Sequence, residues 1–202
     1  SQYHPKAFLK DFKGLLHTAG YSLYHNLPPY ITIIGCWAHV RRWFEALLKN
    51  TSTDKRKDPD ADQGLAYINA LFDLERKFEK LIPEDRYQKR LDQSKPVSDA
   101  FFAWAENLGA LPKMPLGEAT GYAISQKKYL DNVFLDGRTE ISNNRAERTV
   151  KPFVMGRKAW LFSCTPAGPG QAPLCIPLLR PLKKMACTLI AIWSFFWKPC
   201  PI

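Results

Sequence analysis

Hydrophobic positions along this chain change period abruptly near residue 36. Tyr30 to Cys36 (YITIIGC) is a β-branched run of strand length. From Trp37 to Lys49 the period turns helical: Trp37, Val40, Phe44, Leu47 and Leu48 share one face, with Arg41, Arg42 and Glu45 elsewhere. A strand running straight into a helix is the local signature of an α/β layer. Ahead of it, Phe8 to His17 reads as a short amphipathic or extended segment. Gly20 to Leu27 reads as a brief helix stopped by Pro28 and Pro29.

The section that follows is helical, with no strand candidate. Asn50 to Asp62 is a charged loop without periodicity. Gly64 to Leu81 then carries Leu65, Ile68, Leu71, Phe72, Leu74, Phe78 and Leu81 on or near one stripe. Further helices are expected over Glu84 to Leu91, over Pro96 to Leu108 with Pro96 in the first turn, and over Leu116 to Phe134. A packed bundle with no chemistry of its own accounts for this pattern. Gly137 closes it. Ser142 or Asn143 can cap a short helix that runs through Val150 and ends before Pro152. Phe153 to Ser163 alternates basic and apolar residues.

Composition adds a partner. The 202 residues carry 29 Lys and Arg against 19 Asp and Glu, a formal charge of +10. That excess points to an anionic partner, of which nucleic acid is the commonest. Apolar residues make up 46%, enough for a core, which excludes wholesale disorder. Five irregularly spaced cysteines do not make a disulfide framework and fit a reduced, cytoplasmic setting. Residues 1–13 are polar and lack the apolar run of a signal peptide. Without an initiator Met, the chain is expected to be a fragment.

The totals hide an asymmetry. From Pro169 to Ile202 there is no Asp or Glu, while six of the sixteen prolines and three of the five cysteines lie there. The first 168 residues carry +6 and the tail +4. Met185 to Trp197 is apolar over thirteen residues, too short to span a bilayer, so no membrane partner is expected.

Three segments carry a family likeness: FLKDFKGLLHTAGYSLYHNLP at 8–28, GCWAHVRRWFEALLKN at 35–50 and LDGRTEISNNRAERTVKPFVMGRKAWLFS at 135–163. Together they resemble the central, catalytic part of the insertion-sequence-66 family of bacterial transposases, in order and in register over residues 1–168. The resemblance implies an α/β ribonuclease-H-like fold, incomplete here, with an all-helical insertion. Its layout would place the first part of the catalytic domain at 1–50, the insertion at 51–130 and the second part at 131–168. It also implies DNA cleavage and strand transfer by an Asp–Asp–Glu triad that clamps two divalent metals about 4 Å apart. Mg²⁺ suits hard carboxylate oxygens and phosphate.

Carried over residue by residue, the family's Glu falls in NNRAER, at Glu147, as catalytic and metal-binding residue. Without the motif, Glu147 would read as an exposed helix carboxylate beside Arg145, Arg148 and Lys151. The family's T-D-G-Y pattern reads Thr18-Ala19-Gly20-Tyr21 here, so Ala19 occupies the position of a lost Asp. A methyl group cannot bind a metal. The first Asp would precede Ser1. One ligand of three is therefore expected, and no productive Mg²⁺ binding. Arg41, Arg42, Arg145, Arg148, Lys151, Arg157 and Lys158 lie in family-like motifs and are candidate phosphate contacts, with a solvated helix face as the other reading. Trp37 and Trp160 read as core more readily than as base-stacking residues. Cys36 and His39 form one C-x-x-H pair, and without a second pair zinc is not expected.

The tail departs from the family, whose helix reads about YSLIETAKENGL followed by P-x-x-Y-L. Back-translated Lys183 to Trp193, regrouped one nucleotide earlier, yields K-E-N-G-L-H-P-Y-R-Y-L. A single frameshift near Gly168 is therefore expected, with 169–202 out of frame. The resemblance makes this an inactive transposase domain, with DNA ends, a second copy or an intact relative as partners. The alternative is a non-catalytic DNA-binding remnant that interferes with intact transposase.

Overall fold

Two short β-branched or leucine-rich runs form the strands. The computed structural model describes residues 9–20, 24–50, 58–149 and 151. Strand β1 (Gly14–His17) pairs with β2 (Ile31–Ile34) in a two-stranded sheet. The Gly14 N–H donates to the Tyr30 carbonyl at 3.0 Å, just ahead of β2. The extended reading of Phe8 to His17 holds for its last four residues, while 9–11 form a turn. Of the expected brief helix over Gly20 to Leu27, the described part shows a 3-10 residue at Tyr24 and then a turn and bend over 25–27, with Pro28 and Pro29 following at once. Residues 21–23 lie outside the described set.

Helices follow: α1 (Trp37–Asn50), α2 (Pro59–Phe78), α3 (Pro83–Lys89), α4 (Lys95–Asn107) and α5 (Pro115–Leu130). Helix α2 begins within the stretch expected as loop. Asp58 caps it, its carboxylate accepting from the Asp60 and Ala61 N–H groups at 3.1 and 3.3 Å. Pro59 fills the first turn, where no donor is needed, and Asp60 and Asp62 face the positive end of the helix dipole. The capping chemistry, not apolar period, sets this start.

Helices α3 and α4 were expected apart. A π-helical segment (Arg90–Ser94) joins them instead, and Arg90 and Ser94 within it are buried. A 3-10 turn (Asp131–Leu135) ends α5. Residues 144–149 are helical, starting where Asn143 was expected to cap.

The described residues fall into two compact units, and the chain passes between them within β2. One holds 9–18, 24–32, 143–149 and 151. The other holds 19–20, 33–50 and 58–142. The second unit is built around Trp37, which is 0% exposed. Its indole meets Phe101 and Phe102 with ring centroids 5.7 Å away in both cases. Phe44 meets Phe101 at 5.9 Å, and Ile68, Leu71, Ala119, Ala123, Leu130 and Ile141 complete the cluster. Such edge-on pairs add to the burial term. Gly64 lets α1 and α2 approach: a Cβ there would run into the Phe44 ring and the tip of Trp104. No helix among the described residues is long and apolar enough to cross a membrane.

At the coarse level the chain is α/β, mostly helical with a small sheet. The longer β-branched run of 30–36 yields only four strand residues because Gly35 leaves the sheet. Its N–H donates to the Tyr129 carbonyl at 2.8 Å.

Candidate functional site

Three short stretches hold the residues that the sequence singles out: the end of β1, the start of α1 and the segment that leads into residues 144–149. At the end of β1, Thr18 is buried and Ala19 is exposed. Gly20 follows at φ +77°, a conformation glycine adopts without strain. A Cβ on Gly20 would lie 2.7 Å from the Tyr122 hydroxyl and 3.3 Å from Gln126 Oε1. The turn after Ala19 is thus laid directly on α5. Ala19 presents a methyl group at the mouth of this turn.

The start of α1 is fixed by one backbone bond and one side-chain bond. The Trp37 N–H donates to the Ile141 carbonyl at 3.1 Å, and Asn132 Nδ2 donates to the Ile33 carbonyl at 2.6 Å. The strand-to-helix turn is therefore tied to the segment 131–142. Along α1 the two arginines diverge. Arg41 is half-buried, with Nε 3.0 Å from Glu45 Oε1 and its guanidinium 5.3 Å from the Phe72 ring centroid. Arg42 is exposed, and its Nη1 lies 3.3 Å from His39 Nε2. Cys36 is buried.

The segment 131–142 is clamped by a residue that periodicity does not reveal. Arg90 is 0% exposed, yet every nitrogen of its guanidinium is used. Nε and Nη2 donate to the two Glu75 oxygens at 2.7 and 2.6 Å. Nη1 donates to Thr139 Oγ1 at 3.0 Å and to the Asp136 carbonyl at 3.1 Å, and Nη2 to the Thr139 carbonyl at 2.7 Å. A bidentate carboxylate plus carbonyls is the satisfied form a buried guanidinium requires. Next to it, Arg138 forks onto Asp136, with Nη2 to Oδ2 at 2.6 Å. The Arg138 side chain holds the Asp136 carboxyl below its ordinary value, against a smaller opposing effect of burial.

In the other unit, Glu147 is half-buried, and its N–H donates to the Asn143 carbonyl at 3.0 Å, the first turn of the helix. Ala146 is the buried residue of that turn. Arg145, Arg148 and Lys151 are exposed on the same short element, and Arg148 Nε lies 3.3 Å from the Asn144 carbonyl. Three cations thus gather within seven residues around Glu147. Arg157, Lys158 and Trp160 lie outside the described residues.

The fit to a divalent metal can be tested on the donor set. Among the described residues, no three His, Cys, Asp or Glu side chains come together to hold an ion. Ala19 offers no side-chain oxygen, so the described residues do not supply the carboxylate set of a two-metal clamp.

One aromatic pair went unread in the sequence. Trp43 falls off the apolar stripe of α1, 41% exposed, and stacks on Tyr122 with centroids 5.7 Å apart and planes 34° apart. Burial raises the Tyr122 hydroxyl above its ordinary value; Cys36 adds to this and Arg42 opposes it. Only the contact with Tyr122, 79 positions away, reveals the pair, and no local pattern could have done so.

Residues 1–170 match the family described as "Transposase IS66 family". Two uncharacterized proteins of Sinorhizobium fredii are similar to the chain. The protein y4qI is 30% identical over 171 residues, which is 79% of this chain and 31% of y4qI. The protein y4hP is 27% identical over 191 residues, 87% of this chain and 35% of y4hP. The chain spans about a third of the length of these curated relatives. No solved structure matches it.

Proposed function

This chain belongs to the IS66 family of transposases, and from that premise we propose that it is a DNA-binding transposase domain that no longer cuts or joins DNA. The observation that carries the proposal is Ala19, exposed at the end of β1 where the family's T-D-G-Y pattern has Asp.

The proposed fold is a ribonuclease-H-like layer interrupted by helices, with Glu147 as the triad's Glu. Transposases of this kind depend in general on a divalent metal, whose chemistry is to activate the attacking oxygen and stabilise the leaving one. Ala19 takes one carboxylate from the clamp, and Mg²⁺ needs several oxygen ligands besides its waters. No step through a metal is therefore derived for this chain. Its remaining resource is charge. Arg42, Arg145, Arg148 and Lys151 are exposed and suited to phosphate, and Arg157 and Lys158 extend the same motif. Arg41 is committed to Glu45 and Phe72 and contributes less.

The tail is proposed to be out of frame. The family match stops at residue 170, next to the change of composition at Pro169. Sequencing the coding DNA across this point tests it: codons that do not regroup to the family's helix remove the idea.

DNA binding is tested by fluorescence anisotropy on a duplex carrying the element's ends. The affinity should fall linearly with salt on logarithmic axes, as phosphate contacts release counterions. Affinity that ignores salt would contradict the phosphate reading. The non-catalytic remnant that interferes with intact transposase is the reading the exposed cations favour. It predicts that the chain competes with an intact relative for the same ends.

A further inference from the structure

We propose that Trp43 and Tyr122 form a stacking surface for an unpaired base of a DNA strand, next to the turn at Ala19–Gly20. The proposal rests on the DNA-binding reading above and names the form of DNA taken at this place.

Trp43 breaks the pattern of its helix. On α1, Trp37 and Phe44 are fully buried, and exposed Trp43 sits to the side of that buried stripe, with His39 one turn before it and Ala46 one turn after. A single exposed apolar side chain needs no explanation by itself. This one is built rather than loose. Its ring lies against that of Tyr122, tilted by 34°. The Tyr122 hydroxyl is in turn pressed against Gly20, whose missing side chain makes room for it. The second ring is thus fixed by the turn that carries Ala19.

The surroundings fit a flat, electron-rich ring on an anionic strand. Arg42 lies close enough to Tyr122 to act on its hydroxyl electrostatically. It can meet a phosphate or lie over a base. On α5, Gly121 is exposed, and a Cβ placed there would touch nothing within 4 Å. On α1, Ala46 is exposed and small. Neither residue adds bulk beside the aromatic pair. Glu118, one turn before Tyr122, is the acidic group on that side of α5. In a duplex the base faces are covered by their neighbours, so a surface of this kind selects single-stranded or unpaired positions.

The test uses the full chain with a fluorescein-labelled oligothymidine and, separately, a random-sequence duplex. Trp43→Ala should weaken oligothymidine binding about tenfold, within the range of one lost aromatic stack. Trp43→Phe should recover most of it, and duplex binding should change by less than about twofold. Binding of oligothymidine by the unmodified chain should also quench tryptophan fluorescence, and the Trp43→Phe variant should lose that part of the quench. Oligothymidine binding that is equal in Trp43→Ala and the unmodified chain would overturn the stacking surface while leaving salt-dependent duplex binding intact. Equal losses on both probes in Trp43→Ala and Trp43→Phe would overturn it too. An unmodified chain that binds neither probe would overturn the DNA-binding reading along with it.

Discussion

Ala19 and Arg90 show two ways in which one side chain decides what this chain can do. At Ala19 a methyl group stands where the family's pattern has Asp, which on the proposed reading removes a metal ligand while leaving β1 and its turn in place. At Arg90 the decision concerns stability. Its charge is buried, so its partner matters more than the pair is worth. Glu75→Ala should destabilise the helical unit by about 3–5 kcal/mol, because an unpaired guanidinium is left behind. Urea unfolding followed by circular dichroism measures this, and a loss below about 1 kcal/mol would show that Glu75 is not the anchor. Asp136 gives a dependence on pH. Its carboxyl is held low in the fold by the Arg138 side chain. A folded value below the unfolded one favours the fold above about pH 4, and this contribution is lost as pH falls through the depressed folded value. Asp136→Asn should therefore flatten the acid limb of the melting temperature by lowering stability at neutral pH and not in acid, and the drop should be small because Arg138 is exposed. Trp37 and Phe44 were legible in the sequence because helical period marks them. Arg90 was not, because its partners lie 15 to 49 positions away.

Capping and close packing govern the elements. Apolar period placed α1, α2, α4 and α5 to within a few residues, and it failed where local polar chemistry decides. Helix α2 starts at Pro59 because Asp58 satisfies two of its free donors. Asp58→Ala should cost about 1 kcal/mol, read as a lower urea midpoint with an unchanged slope. Gly64 makes the complementary case inside the same helix. Gly64→Val should destabilise by about 1–3 kcal/mol, since its side chain must displace Phe44 or Trp104. A neutral Gly64→Val would mean that α1 and α2 are not in close contact. The π-helical joint of α3 and α4 left no mark in the sequence. It turns Arg90 inward, and a buried arginine on a polar-looking helix reads as a solvated residue until its partners are seen.

For the whole molecule, family membership was readable from three separated motifs, and the match over residues 1–170 bears it out. The sheet was less legible. Two strands are described, both short, and the ribonuclease-H-like layer remains the proposal that the family supports. Charge has acquired a location. Arg42 and the cations around Glu147 are exposed on described elements, and four of the ten net charges lie beyond residue 168, where composition changes.

The central claim is that this chain holds DNA and does not cut it. It is tested most directly in one retardation gel. An end-labelled duplex of the element's ends is incubated with the chain and Mn²⁺ or Mg²⁺, then split between native and denaturing lanes. The predicted result is a shifted duplex in the native lane and an intact strand in the denaturing lane. A metal-dependent cleavage product that disappears in Glu147→Ala would contradict the claim, and so would a duplex that does not shift.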